Sequence, residues 1–324
     1  KFRIRQSLRE ARAGFTVVFG MFIALLVMMI GLDCYVMCDH ISKENKKDTK
    51  FEYMYTYKYP DKKVPKGGNA CFVKGLHKEV WGYDLEISLI GIENDNPYFS
   101  QDKDLPKAKN KVVISSAMAQ KYDLKKGDSI ILSDEEMDYA FQVADITQYS
   151  SGLYAFMDID SMRDLFQTSS DYYNMVVSKK KLSIDSGKLY ATTSKKAIEE
   201  SSDVFINMMI PMMGMIVGLS VIIFAIVMYL MIKVMIDRSA QNIALMKVFG
   251  YRKKEIKKLY LDGNFYMIAI GALISVPLSK KLMDAMYPVM VSNIACGMNL
   301  SFTWQMYALI YAGIIITYLV INKL

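Results

Sequence analysis

The sequence predicts a membrane α-helical protein with four transmembrane helices and an extracytoplasmic α+β domain inserted between helices 1 and 2. Three observations predict it. Apolar runs of about spanning length recur along the chain, a bilayer core needing roughly 20 apolar residues in a helix. One polar segment, residues 38–204, interrupts them with strand-like alternation. Basic residues gather at one set of run ends, as cytoplasmic flanks do. The composition agrees: 52% of residues are hydrophobic and 23% charged, a mixture that fits apolar blocks joined to a polar domain.

Residues 1–13 read as a cytoplasmic amphipathic segment. Phe2, Ile4 and Leu8 alternate with Lys1, Arg3, Arg5, Arg9 and Arg12 at roughly helical spacing, which suits the inner membrane surface. Residues 14–37 form the first span, with Asp33 as its one charge. The run is longer than the apolar part of a secretory signal, and no small-residue cleavage site follows, so the helix is read as retained.

Residues 38–204 form the extracytoplasmic domain. It opens on the polar stretch "SKENKKDTK" and continues with the strand-like runs "FEYMYTYKY", "LEISLIGIE", "KVVISS", "DSIILS" and "YAFQVADITQY". "SSAMAQKYDL" reads as a short helix capped by Ser115 or Ser116, and "DIDSMRDLFQ" as a second. Lys126-Gly127-Asp128 is a turn. The pattern predicts an α+β domain with a largely antiparallel sheet. No catalytic constellation accompanies it. The two histidines, His40 and His77, stand at unrelated places, and no G-x-S-x-G elbow accompanies His77. "DEEMD" at 134–138 reads as a solvated hairpin tip, because its spacing lacks a calcium-loop pattern. Cys34 and Cys38 share one helix face. Cys71 and Cys296 both fall on the outer side, where they are candidates for a bridge. No C-x-x-C or His/Cys cluster has metal spacing. Catalytic, cofactor-binding and metal-ligating residues are therefore expected to be absent from this chain.

Residues 205–236 supply a stalk and the second span. Pro211 is expected to kink the helix or to mark the junction between stalk and span. Gly214 and Gly218 form a G-x-x-x-G pair that lets helix backbones approach. Residues 237–258 form a basic inner loop, residues 259–282 the third and least apolar span, residues 283–303 an outer loop, and residues 304–322 the fourth span. Asp33, Lys233 and Asp262 all lie near run ends, and a mid-depth charge of the kind ion-coupled carriers use is not expected. That argues against a secondary transporter.

The inner loop carries the most informative motif. In "NIALMKVFGYRKKEIKK" (242–258), Ile243, Leu245, Met246, Val248 and Phe249 give a short apolar helix, and Gly250 stands where a helix stops. A helix this short is marginal alone and needs a surface to dock on. Charge by itself would satisfy the topology rule and would leave the apolar residues without a reason.

This stretch resembles the loop after the second span of FtsX-like ABC permeases of the MacB/LolC type. Ile243, Ala244, Leu245, Lys247 and Gly250 match their pattern, and Asn242 stands where a glutamate is usual. "GIENDNPYF", "VVISSAMAQKYDLKKGDSIIL" and "FQVADI" in the outer segment resemble that group too, as does the order of span, domain and three spans. The resemblance implies a permease that works with a separate ATPase by mechanotransmission. It also implies a coupling helix in which Ile243, Ala244, Leu245, Met246, Lys247, Phe249 and Gly250 meet that ATPase. ATP and magnesium would sit on the partner, since this chain has no G-x-x-x-x-G-K-[ST] loop; "KGGNACFVK" has neither the spacing nor the ending. The partners implied are an ABC ATPase dimer, a second permease half or homodimer copy, and membrane lipid, without nucleic acid. The opening Lys1 and "RIRQSLREAR" lead to the expectation that the chain is the C-terminal half of a larger permease. The cargo implied is a lipid, peptide or drug. The alternative is a regulator of a cell-wall hydrolase or an antimicrobial-peptide sensing module.

Overall fold

A computed structural model describes residues 11–60, 63–99, 105–134, 137–149, 152–238 and 240–323. The expected amphipathic segment at 1–13 lies almost wholly outside them. The chain divides into two compact units. One comprises residues up to Val36, Ile210–Tyr287 and Leu300–Leu324; the other comprises Met37–Met209 and Pro288–Asn299.

The first unit is helical. Helix α1 (Ala11–Asp48), the later part of α4 (Lys195–Arg238), α5 (Ala240–Val248), most of α6 (Lys253–Met290) and α7 (Trp304–Lys323) supply it. Among the described residues three helices are long and apolar enough to cross a membrane, within Val18–Asp48, Lys195–Val234 and Trp304–Ile321. Helix α6 has the length but carries Lys280, Lys281 and Asp284 in its second half, so four spans are not established.

Packing in this unit follows small residues. On α6, Ala272, Ser275, Val276, Ser279, Lys280 and Met283 are buried at helical spacing. Ser275 donates to the Val18 carbonyl of α1 at 3.2 Å, and Ser279 to that of Phe22 at 3.4 Å. Such bonds need the two backbones close together, which only small side chains permit. Gly31 does the same on the α4 side: a Cβ there would lie 2.8 Å from Val217. Met21, Ala24, Leu25 and Met29 of α1 are fully buried, so α1 is enclosed where α4 and α7 keep broad exposed apolar faces.

The second unit is a mixed sheet of nine strands. They are β1 (Tyr53–Tyr57), β2 (Gly68–Val80), β3 (Tyr83–Ile92), β4 (Lys111–Ser115), β5 (Ser129–Ser133), β6 (Asp138–Thr147), β7 (Tyr154–Asp158), β8 (Met175–Ser178) and β9 (Leu189–Ser194), in spatial order β3-β7-β4-β6-β5-β2-β8-β1-β9. The long β2 serves two neighbours in succession. Its start pairs with β8, and its remainder forms a hairpin with β3. A single pairing of His77 with Ser133 links β2 to β5 and closes six strands into a ring. Leu76, Ile87, Leu89, Val112, Ile114, Leu132 and Met157 fill that ring, each contributing about 1.5–3 kcal/mol by leaving water. The largely antiparallel expectation holds with two exceptions: β3–β7 and β4–β6 are parallel.

Helix α2 (Ser116–Tyr122) is capped by Ser115, whose hydroxyl accepts from the Met118 N–H at 3.2 Å. Asp158 caps α3 (Ile159–Leu165) in the same way. Gly127, at φ +97°, makes the turn expected there. The "DEEMD" segment joins β5 to β6: Asp134 accepts from the Met137 N–H and from Lys74, and Ser133 donates to Asp138. Glu135 and Glu136 lie outside the described residues.

Two boundaries differ from expectation. Helix α1 continues through "SKENKKD" to Asp48, and α4 begins at Lys195 rather than 205. The polar residues of that stretch pair the two helices. Lys46 binds Asp203 at 2.8 Å, Ser42 lies within reach of the same carboxylate, and Asn45 donates to Ser202. Helix α4 runs unbroken past Pro211, although the ring removes one backbone N–H. The division between the two units falls beside it, after Met209.

Candidate functional site

The inner-loop motif folds as the helix α5. Phe249 N–H bonds to the Leu245 carbonyl at 3.0 Å, and Tyr251 N–H reaches back to Met246 at 3.2 Å. Gly250 takes φ +83° between them. This is the Schellman ending, in which a left-handed glycine lets the chain fold back on the last turn. The geometry leaves an apolar end unsheltered. Val248 is 83% exposed, Phe249 76%, and Leu245 and Tyr251 each 55%. Ala244 is exposed and Met246 half-buried. The side chains of Ile243 and Lys247 lie outside the described residues. A valine and a phenylalanine thus stand exposed at a capped helix end.

Gly214 and Gly218 meet no neighbour among the described residues, since a Cβ at either would find nothing within 4 Å. Close approaches between helices of this unit occur instead at Gly31, Ser275 and Ser279.

A buried ion pair, missed in the sequence reading, joins α1 to α6. Lys280 Nζ lies 2.9 Å from Asp33 Oδ1, and the side chains are 5% and 0% exposed. The ammonium also contacts Asp284, donates to the Leu300 carbonyl at 2.8 Å and sits 4.2 Å from the centre of the Phe302 ring. Asp33 Oδ2 has no hydrogen-bond partner among the described residues. A charge therefore does lie within residues 259–282, and it is neutralised by the lone acid of the first apolar run. The readable signal was that complementarity.

In the second unit, α2 holds the 288–299 segment. Lys121 is 7% exposed and donates to the carbonyls of Val291 and Ile294, both at 2.9 Å. Gln120 accepts from the Met298 N–H at 2.8 Å, and Gly297 lies against Ala117. His40 contacts the Asn299 carbonyl at 2.9 Å. Burial lowers the Lys121 pKa, partly offset by neighbouring Cys296, and pushes the Cys296 thiol up to about 11. Cys71 stands apart, buried in β2 beside Asn96 Nδ2 at 3.8 Å, and burial pushes its thiol up to about 12. Cys71 and Cys296 are both free thiols, so the candidate Cys71–Cys296 bridge is not formed. His77 pairs with Asp84 across the β2–β3 hairpin at 3.1 Å.

Residues 214–321 match the model of a known family, described as the FtsX-like permease C-terminal region. The match takes in the later part of α4, all of α5 and α6, and most of α7. No curated protein matches the chain.

Proposed function

From the premise that residues 214–321 are an FtsX-like permease C-terminal domain, we propose that the chain is the permease subunit of an ABC transporter driven by a separate ATPase. FtsX-like permeases generally partner with ABC ATPases. In this reading α6 is a fourth span, α5 lies on the cytoplasmic face, and the nine-stranded domain lies outside. ATP binding and hydrolysis on the partner move α4 and α6 through α5, and the outer domain turns that movement into export or extraction of a lipid, peptide or drug. The ATPase activity belongs to the partner, and the permease works as a pair with a second half or copy.

One observation carries the reading. Within the matched region a capped helix of nine residues presents Val248 and Phe249 almost fully to solvent. Exposed apolar groups at a rigid helix end are what a hydrophobic groove on another protein receives. The free Gly214–Gly218 face supports the pairing, and the buried α1–α6 contacts support a bundle that moves as a body.

The test is Phe249→Asp in the complex with the cognate ATPase. A carboxylate in a docking groove costs several kcal/mol to desolvate. Permease-stimulated ATP hydrolysis should fall at least about tenfold while the permease keeps its melting behaviour. Retained stimulation would remove α5 as the coupling element.

A further inference from the structure

We infer that α2 and residues 288–299 form a clasp that stays closed while the protein works, so that the segment between α6 and α7 belongs to the sheet domain and moves with it. Where this speaks of work driven by an ATPase, it rests on the reading above.

The segment has little of its own to hold it. Helix α6 ends at Met290. The backbone bonds within the stretch that follows are short-range: Ser292 N–H to the Val289 carbonyl, Ile294 N–H to that of Val291, and Cys296 N–H to that of Ile294. A chain without a helix or strand to continue it gains order from what it leans on, because each fixed residue costs entropy. Yet Ser292 is 2% exposed and Cys296 8%.

One face of α2 supplies the grip. Ala117, Gln120 and Lys121 are three and four residues apart, which sets them side by side on the helix. A Cβ on Gly297 would stand 3.5 Å from that of Ala117. Gln120 takes the Met298 N–H, and Lys121 takes the Val291 and Ile294 carbonyls. Bonds from a charged donor are the stronger kind. At the far end His40, in the stalk part of α1, contacts the Asn299 carbonyl. The segment is therefore held at successive points along its length.

The gripping helix is itself seated in the ring. Ala117 and Met118 belong to the core that fills it. The Ser115 hydroxyl donates to the Gly152 carbonyl at 3.2 Å and accepts from the Tyr154 N–H at 3.1 Å, and the Ser116 hydroxyl accepts from the Tyr149 N–H at 3.2 Å. Tyr122 donates to the Lys78 carbonyl of β2 at 3.2 Å. A displacement of α2 would break bonds to β2 and to the start of β7. The chain passes between the two units after Val36, Met209, Tyr287 and Asn299. The stalk serves the first two crossings. The clasp serves the other two, so a movement of α6 or α7 reaches the sheet through α2 and is not lost in a slack loop.

The experiment has two arms. In the first, native-state hydrogen exchange is followed in the full detergent-solubilised chain at rising denaturant. Amides of residues 294–298 should lose protection together with those of 117–122, as parts of one cooperative unit do. Loss at lower denaturant than α2 overturns the proposal. The second arm uses Ala117→Cys/Gly297→Cys in the complex with the cognate ATPase, carried on Cys296→Ala to remove the neighbouring thiol. The Cβ separation suits a disulfide. Oxidation should leave permease-stimulated ATP hydrolysis within about twofold of the reduced form. A larger loss that reductant reverses would show that the clasp has to open, and overturns the proposal. Gln120→Ala/Lys121→Met should lower stimulation at least about threefold, and the oxidised cysteine pair placed in the Lys121→Met chain should restore it. Gln120→Ala alone serves if the double variant fails to fold. No loss, or no restoration, removes the clasp from the path. The exchange arm involves neither the ATPase nor α5, so its outcome is independent of the coupling reading.

Discussion

Lys280 of α6 reaches Asp33 of α1 at 2.9 Å in the interior of the helical unit, with almost no solvent on either side chain. Two distant apolar runs are thus tied by the charges that interrupt them. Removing one partner of a buried pair leaves the other uncompensated, which costs about 3–5 kcal/mol.

Lys280→Met and Asp33→Leu should each lower the melting temperature of the detergent-solubilised protein clearly. The double variant should recover at least half of the loss. An additive double variant would mean that the two side chains are not coupled.

Gly31→Ala should destabilise the helical unit by about 1–3 kcal/mol, since the added methyl meets Val217 at 2.8 Å. Gly214→Ala and Gly218→Ala have open space and should be neutral or slightly stabilising in the single chain, by up to about 1 kcal/mol. Gly214→Leu should alter only the oligomeric state, measured by light scattering, if that face meets a second permease half.

Gly250→Ala should fray the end of α5 by about 1 kcal/mol or more, because alanine is strained at φ +83°. Gly250→Asn should retain more coupled ATP hydrolysis than Gly250→Ala, asparagine being tolerant of that conformation. Equal activities would show that the cap plays no part in docking.

Lys121→Met removes two hydrogen bonds from a charged donor to the 288–299 segment. Each is worth about 1.5–3 kcal/mol. Hydrogen exchange across residues 291–298 should accelerate at least about tenfold while the nine-stranded sheet stays protected. Unchanged exchange would mean that Gln120 and Gly297 hold the segment unaided.

Alkaline stability provides a further check. The Cys71 thiol has an ordinary value of 9.0 and is pushed up to about 12 in the folded protein by burial. Between these values the unfolded chain has lost the proton that the native state keeps. The native state then holds more protons, so stability falls as pH rises above 9.0, by at most about 1.4 kcal/mol per pH unit. Denaturant titrations of Cys71→Ala should show a shallower decline over that window than the parent.

The apolar runs behind α1, α4 and α7 were legible because each is local and long, and the stop at Gly250 because a glycine between an apolar helix and a basic stretch has few other uses. Strand β2 was not legible. Gly68, Gly75, Lys74, His77 and Glu79 make it resemble a loop, and it is a strand because β3 and β8 pair with it. The continuation of α1 into "SKENKKD" was hidden for a similar reason: its helicity rests on Asp203 and Ser202, more than 150 residues away in sequence. Asp33 was visible and Lys280 was visible, but their partnership is a tertiary fact.

The junction between stalk and sheet has a mechanical corollary. Strands β1 and β9 pair antiparallel in continuous register from Tyr53–Ser194 to Thr56–Ala191, with a shift before Tyr57, and the Lys195 N–H bonds to the Glu52 carbonyl at 2.9 Å where α1 and α4 enter the domain. Sliding one helix past the other would shift that ladder, and a slip of one residue turns every side chain of a strand to the opposite face. A slide of α1 against α4 is therefore resisted where the two helices enter the sheet.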